Sequence, residues 1–470
     1  MKISLATFHN SSANIHIIGA VAVEGSVIAR FLFSLGAKNV TLHDFCEKKE
    51  FPKRFRTFHT GVQDSIDLWQ KMRSLPYPIH FKDSYLEGIE QAELLFINQA
   101  WYRYAFNFPK LGDIVNAGAI PVSSMIDLYL QLFPGKTIGI TGTHGKTTVT
   151  RLMAHVLKTA NKKVYTSGND RHSEQILEKI TQGTIGAEDI LVLEISNRQL
   201  KQSLEKSPTI AVITNVYPNH LDEHADFADY RATKMRIAEK QTKQDLLIVG
   251  NNDAVLADWA QEKQALVITT EKIDYIKSTF TLPDTLVGEH NLTNVAIVYQ
   301  IAKSLEINDS VFQNALTLFP GVEKRQESIF KTEQVKVIND SIATTPTATT
   351  MAVRTFAKEP LFLIMGGDDK NIPQTSWDEL VKTIQALTNI QVAILPGTIR
   401  AKLAHLSAQL VPTLEDALAA AQTFLSQQKS PTTILVSPGG EAFYTKFLAG
   451  KSLEKLAQDY FSSSTTLNLG

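Results

Sequence analysis

The chain has 470 residues, of which 43% are hydrophobic and 20% charged, and its formal net charge is −1. That length suits roughly three domains, each able to bury its own core. The charge balance excludes bulk attraction to nucleic acid or anionic lipid, no run approaches the roughly 20 apolar residues of a membrane span, and the lone Cys46 excludes an internal disulfide framework. The start, Met1 to His9, lacks the apolar stretch of a secretory signal. A cytoplasmic, monomeric protein is expected.

The first predicted strand is Ile15 to Ile18. A turn holding Gly19 and Gly25 follows, then a helix from Ser26 to Leu35 stopped by Gly36. Asn39 to Asp44 reads as the next strand, which completes a βαβ unit with an acidic residue at its end. In dinucleotide-binding folds a carboxylate there holds a ribose. Here the fingerprint glycines are incomplete, with Val21 and Glu24 in their stead. Ala92 to Ile97 is another strand, and Pro121 and Pro134 bracket the passage into the next segment.

Lys136 to Ile140 reads as a buried strand and Val149 to Thr159 as a helix. Between them runs Gly142-Thr143-His144-Gly145-Lys146-Thr147-Thr148. A glycine-rich turn from a strand into a helix start aims several backbone N–H groups at one spot, and the helix dipole adds to their pull on a polyphosphate. A lysine there reaches the outer phosphates, and the next hydroxyl binds Mg²⁺. The pattern predicts a nucleoside triphosphate site built on Lys146 and Thr147.

Asp189 to Glu194, Thr209 to Thr214 and Gln244 to Gly250 are short apolar runs, as in a parallel sheet covered on both faces. Asn291 to Ser304 reads as a helix. A further unit starts at Phe319-Pro320-Gly321. Its strands are predicted at Val335 to Ile338, Leu361 to Met365, Val392 to Leu395 and Thr433 to Val436, with Gly366-Gly367 and Gly439-Gly440 as turns beyond strand ends. Ser462 to Gly470 is polar and expected to be loose.

Chemistry-bearing residues sit at these strand ends and helix starts. Glu194 ends a strand and offers a carboxylate to Mg²⁺. His220 follows the next strand. Lys234 sits on a predicted helix, and Asn291 and Asn294 sit near the start of another. Arg325, Asp340 and Lys370 belong to the last unit. Each alone has a bland reading as a solvated or capping residue. Their order along the chain ties them together.

In that order the motifs resemble those of the Mur ligases, the ATP-dependent amide-forming enzymes of peptidoglycan precursor synthesis. The resemblance rests on Gly142 to Thr148, Leu193-Glu194-Ile195-Ser196, Asn215 to Asp222, Tyr230 to Lys234, Gly288 to Asn294, Phe319-Pro320-Gly321, Asn339 to Pro346 and Gly366 to Lys370. It implies an α/β fold of three domains. A Rossmann-like domain over 1–121 would bind a uridine-nucleotide substrate, a P-loop parallel sheet over 122–320 would bind ATP, and a Rossmann-like domain over 321–470 would bind the amino acid.

The resemblance also implies the roles. Gly142, Thr143, His144, Gly145, Lys146, Thr147 and Thr148 would hold the ATP phosphates. Thr147 and Glu194 would bind one Mg²⁺ and His220 a second, beside a carbamylated Lys234. Asn291, Asn294, Arg325 and Asp340 would contact the nucleotide. Asp44, Asn169 and Ser196 would contact the acceptor, and Thr344 and Lys370 the incoming amino acid. The implied acceptor is UDP-N-acetylmuramoyl-L-alanine and the implied amine D-glutamate, joined through an acyl phosphate. Other amines (L-alanine, L-glutamate), a recycled peptide, or nucleotide binding without catalysis are the alternatives.

Several residues depart from the family pattern. His144 resembles the L-alanine-adding branch. Ile342 stands where a lysine is common and Ala442 where a serine is usual. Asn98-Gln99-Ala100 replaces a small glycine-containing turn.

Overall fold

The computed structural model describes residues 2–59, 65–99, 109–169, 175–202, 204–250, 253–448 and 451–462; Ala100 and the tail from residue 463 lie outside them. Three sheets follow one another along the chain. The first holds β1 (Ile15–Ile18), β2 (Val40–His43), β3 (Ile79–His80), β4 (Leu94–Ile97) and β5 (Val122–Ser123). They lie in the order β3-β2-β1-β4-β5, all parallel, as in a Rossmann-like half.

The second sheet holds β6 (Lys136–Thr141), β7 (Val164–Gly168), β8 (Ile190–Glu194), β9 (Ile210–Ile213), β10 (Leu246–Gly250) and β11 (Leu266–Ile268). Its order is β11-β10-β9-β6-β8-β7, again all parallel. The third holds β12 (Glu327–Lys331), β13 (Val335–Asn339), β14 (Leu361–Gly366), β15 (Ile390–Ile394), β16 (Gln409–Leu410) and β17 (Thr432–Gly439), ordered β12-β13-β17-β14-β15-β16. Only β12 runs antiparallel, as an edge strand against β13.

The apolar runs of the sequence are explained by the central sheet. Alternate residues of β8 feed two cores. Ile190 and Val192 face the core shared with helix Lys146–Thr159, while Leu191 and Leu193 face a core continuous with the first sheet. Every residue of β8 and β9 is buried. Each Val, Leu or Ile side chain among them contributes about 1.5–3 kcal/mol by leaving water. The same shared core, with the Arg30–Glu178 ion pair at 2.7 Å, fastens the first unit to the second.

One expected boundary shifts. Val122–Ser123 pairs with β4, so the first sheet extends past residue 121. We therefore draw the first unit through β5. No helix among the described residues is long and apolar enough to cross a membrane.

Candidate active site

Adjacent strands β6, β8 and β9 present their carboxyl ends side by side, the usual ligand position in an open parallel sheet. After β6 the chain turns through Gly142 (φ 146°) and Gly145 (φ 81°) into helix Lys146–Thr159. Gly145 is required twice over. Its backbone is left-handed, and a Cβ there would lie 2.4 Å from Asn294 Oδ1.

The end of β9 clamps the turn. The His144 N–H donates to Asn215 Oδ1 at 2.9 Å, and the Thr214 hydroxyl and Asn215 amide donate to the His144 carbonyl at 2.6 and 3.1 Å. The loop is thus held open-faced at a helix N-terminus, where the dipole favours anions.

The Lys146 ammonium donates to the Gly142 and Thr143 carbonyls at 2.8 and 3.0 Å. The Lys234 ammonium, 1% exposed, donates to the same Gly142 carbonyl at 2.9 Å and lies 4.6 Å from the Tyr230 ring centre. Two ammonium groups therefore share one acceptor. Burial lowers Lys146 to about 8, with further lowering from Arg325 and Lys370 and a partial offset from Glu194. Burial, then Lys146, drives Lys234 well below the ordinary lysine range.

Glu194 ends β8. Its Oε1 accepts from the Asn169 amide at 2.8 Å, and its Oε2 is buried with no partner among the described residues. An unpartnered buried carboxylate oxygen costs free energy unless a cation or donor meets it. His220 follows β9 in a left-handed backbone conformation (φ 54°). Burial, then the neighbouring cations Lys370, Arg198, Lys234 and Lys146, lowers its imidazole to about 2. A neutral ring at ordinary pH keeps a lone pair available to a metal.

The third unit closes the other side. Arg325 donates to the Thr147 hydroxyl at 2.8 Å. Asp340, at the end of β13, accepts from the Gln326 N–H at 3.2 Å and the Ser437 hydroxyl at 2.8 Å, and burial raises its carboxyl to about 7. Lys370 donates to the Thr344 hydroxyl at 3.0 Å. These elements bound a cavity of about 270 Å³.

Residues 140–281 match the family model for the Mur ligase middle domain. The UDP-N-acetylmuramoylalanine--D-glutamate ligase of Streptococcus mutans is 32% identical over 69% of this chain and 74% of its own length. The chain belongs to the Mur ligase family. The ligase of the same name from Caldanaerobacter subterraneus is 28% identical over 94% of this chain and 97% of its own. Among solved structures, the Thermotoga maritima UDP-N-acetylmuramate-alanine ligase MurC superposes with a TM-score of 0.55 at 19% identity, covering 96% of this chain and 99% of its own. The Thermotoga maritima MurF ligase in complex with ADP gives 0.59 at 14% identity, over 89% and 95%. At those identities the superpositions speak for the fold.

In this Mur ligase the cavity is lined by Thr143, His144, Gly145, Lys146, Thr148, Asn169, Glu194, His220, Asn291, Asn294, Arg325, Asp340, Thr344 and Lys370, all singled out from the sequence. Gly142, Thr147 and Lys234 are not lining residues: Gly142 and Thr147 each bond one, Lys146 and Arg325, and Lys234 reaches the site through the Gly142 carbonyl it shares with Lys146. Asp44 and Ser196, expected at the acceptor, are not among the lining residues of this cavity. Both Asp44 carboxylate oxygens are taken by its own unit, from the Val21 N–H at 2.9 Å and the Cys46 N–H at 3.1 Å. The Ser196 hydroxyl caps its own short helix, accepting from the Gln199 N–H at 3.2 Å, and donates to Gln99 Oε1 at 2.8 Å.

That last contact belongs to a network sequence reading missed. Glu24, where a fingerprint glycine was expected, is buried and accepts from the Gln99 N–H at 2.8 Å and the Gln199 amide at 2.7 Å. It ties the first unit to the second with partners 75 and 175 residues away, and no local pattern signals such pairs. Asn219, His290 and Thr345 also line the cavity. The Thr345 hydroxyl lies 3.4 Å from His144 Nε2.

Proposed function

We propose that this protein forms the amide bond between UDP-N-acetylmuramoyl-L-alanine and D-glutamate at the expense of ATP, in peptidoglycan precursor synthesis. The observation that carries the reading is one cavity lined by Lys146, Glu194 and His220 of the central unit and by Arg325, Asp340 and Lys370 of the third. Such a cavity suits a reaction that needs ATP from one domain and an amine from another.

A carboxylate cannot acylate an amine directly, because oxide would have to leave. In the reading proposed, a carboxylate oxygen of the acceptor attacks the γ-phosphorus of ATP, and ADP departs. The amine, having lost a proton, attacks the acyl carbon of the acyl phosphate. The tetrahedral intermediate loses the second nitrogen proton to solvent and collapses with loss of phosphate, leaving the amide. The loop amides and Lys146 hold the phosphates, and Asn291, Asn294, Arg325 and Asp340 hold the rest of the nucleotide. Thr344 and Lys370 hold the amino acid, and Asn169 the acceptor. Arg325, by reaching Thr147, keeps the third unit over the phosphate loop and helps exclude water.

The donor set fits Mg²⁺. Glu194 supplies an unpartnered buried oxygen, His220 a neutral imidazole, and Thr147 a hydroxyl. When bound, Mg²⁺ supplies positive charge where two anions must meet. Lys234 fits a carbamate, because burial favours the neutral amine that reacts with CO₂, and the product is an anion beside Lys146. A sister specificity is the second reading. It is favoured by Ile342, a 45% exposed apolar side chain on the cavity wall.

The test is product identity. Mass spectrometry after incubation with the acceptor, ATP and D-glutamate should find the acceptor enlarged by one glutamyl residue. ATP hydrolysis without that product would refute the assignment.

A further inference from the structure

Among the described residues lining the cavity, the lysines and arginine are Lys146, Arg325 and Lys370; burial lowers both lysines, and at Lys370 the charge of Glu441 is the largest effect opposing it. Two are committed within the ATP-loop region, Lys146 to loop carbonyls and Arg325 to Thr147. Lys370 is the cation beside Thr344, and its side chain is only 9% exposed. A carboxylate of the protein already faces it. Glu441 Oε2 stands 3.8 Å from Lys370 Nζ, close enough for Coulomb attraction and too far for a direct hydrogen bond.

The main chain that carries Glu441 is held in place. Glu441 and Asp368 exchange hydrogen bonds, Asp368 N–H to Glu441 O at 3.0 Å and Glu441 N–H to Asp368 O at 2.8 Å. Gly367 lies so close that a Cβ would sit 2.3 Å from the Glu441 carbonyl oxygen. Lys370 and Glu441 are therefore presented side by side by two loops zipped together at the ends of β14 and β17. The surrounding charges do not cancel Glu441. Arg198 is paired with Glu223, and the nearby Asp222 adds negative charge.

We propose that Glu441 is an internal competitor for Lys370, which sets the affinity of the site for the carboxylate of the incoming amino acid. This rests on the proposed amine, D-glutamate. Lys370 has two N–H bonds left after Thr344, so a substrate carboxylate can bind it directly while Glu441 stays at its longer distance. The like charge of Glu441 then opposes binding without touching the reacting atoms. Its effect belongs in KM for the amine and not in kcat.

The experiment compares the unaltered enzyme with Glu441→Gln, which keeps the shape and backbone bonds and removes the charge. The KM for D-glutamate should fall on the order of three- to tenfold, the scale of a partly exposed ion pair. The inhibition constant of glutarate, a dicarboxylate without the amine, should fall by the same factor. That of the uncharged glutaramide should not move, and kcat should be unchanged. A structural role for Glu441 would instead shift both inhibitors alike. Unshifted KM and glutarate inhibition in an enzyme that turns over D-glutamate would overturn this proposal alone. No turnover of D-glutamate by the unaltered enzyme would overturn the amine assignment and this proposal with it.

Discussion

Replacing Lys234 by methionine separates a structural lysine from a chemical one. The side chain is 1% exposed and its ammonium reaches one acceptor, the Gly142 carbonyl at 2.9 Å. That carbonyl stays satisfied in the variant, because Lys146 also donates to it at 2.8 Å. Methionine keeps the volume of the stem and sets a thioether near the Tyr230 ring, a favourable contact. Volume-conserving core changes cost less than about 1.5 kcal/mol, and removing a buried, unpaired ammonium offsets that cost. The Tm of Lys234→Met is therefore expected within a few degrees of the unaltered protein, or above it. Activity should behave differently. If Lys234 supplies a carbamate beside the phosphates, its loss should lower turnover at least about a hundredfold, roughly 2.7 kcal/mol in the barrier. Phosphate release is the assay, repeated with formate and acetate, whose small carboxylates should restore part of the rate. Near-normal turnover would show that Lys234 has no chemical role. So would a collapse of Tm that accounts for the lost rate.

Gly145→Ala should cost on the order of 2–4 kcal/mol in urea unfolding, from the left-handed φ of 81° and a Cβ 2.4 Å from Asn294 Oδ1, and should weaken ATP binding; an unchanged midpoint would contradict the loop geometry. Asp340→Asn should weaken ATP binding yet raise stability by up to about 2–4 kcal/mol at pH 8. The folded carboxyl is raised to about 7 by burial, so ionised Asp340 is a liability above that pH, and the gain should fade toward pH 4; a pH-independent difference would refute it. The buried histidines act in the opposite sense. Burial lowers His16 to about 4, His43 to about 3 and His59 to about 4, so their contribution is complete above the unfolded value of 6.5 and is lost as the pH falls toward the folded values. Each costs about 1.4 kcal/mol per pH unit in that window, which outweighs the stabilising protonation of Asp340. Calorimetry should show Tm falling from pH 6.5 to 5, and a flat profile would contradict their burial.

The sequence made legible what is periodic or adjacent. Strands such as Ile190–Glu194 and Ile210–Ile213 are continuous apolar runs because both faces of the sheet are covered. Glu194, His220 and Asp340 could be found because they stand at or just beyond strand ends. Two-residue strands such as Ile79–His80 and Gln409–Leu410 have no period to detect, and β12 was missed because its two apolar residues, Ile329 and Phe330, are adjacent and break the alternation, where the pairing register shifts. The helix after the phosphate loop begins at Lys146 rather than at Val149, because its first turn is spent on polar site residues. Lys234 reads as a solvated helical lysine and is in fact buried. Its helix packs that face beneath the loop, a tertiary fact that only the family resemblance hinted at.

Amide formation driven by ATP is read out by phosphate release with UDP-N-acetylmuramoyl-L-alanine and ATP, offering D-glutamate, L-glutamate, L-alanine and glycine in turn. Release is expected with D-glutamate and is abolished in Lys146→Ala. Release that ignores the amino acid, or that survives loss of Lys146, would contradict amide formation driven by ATP.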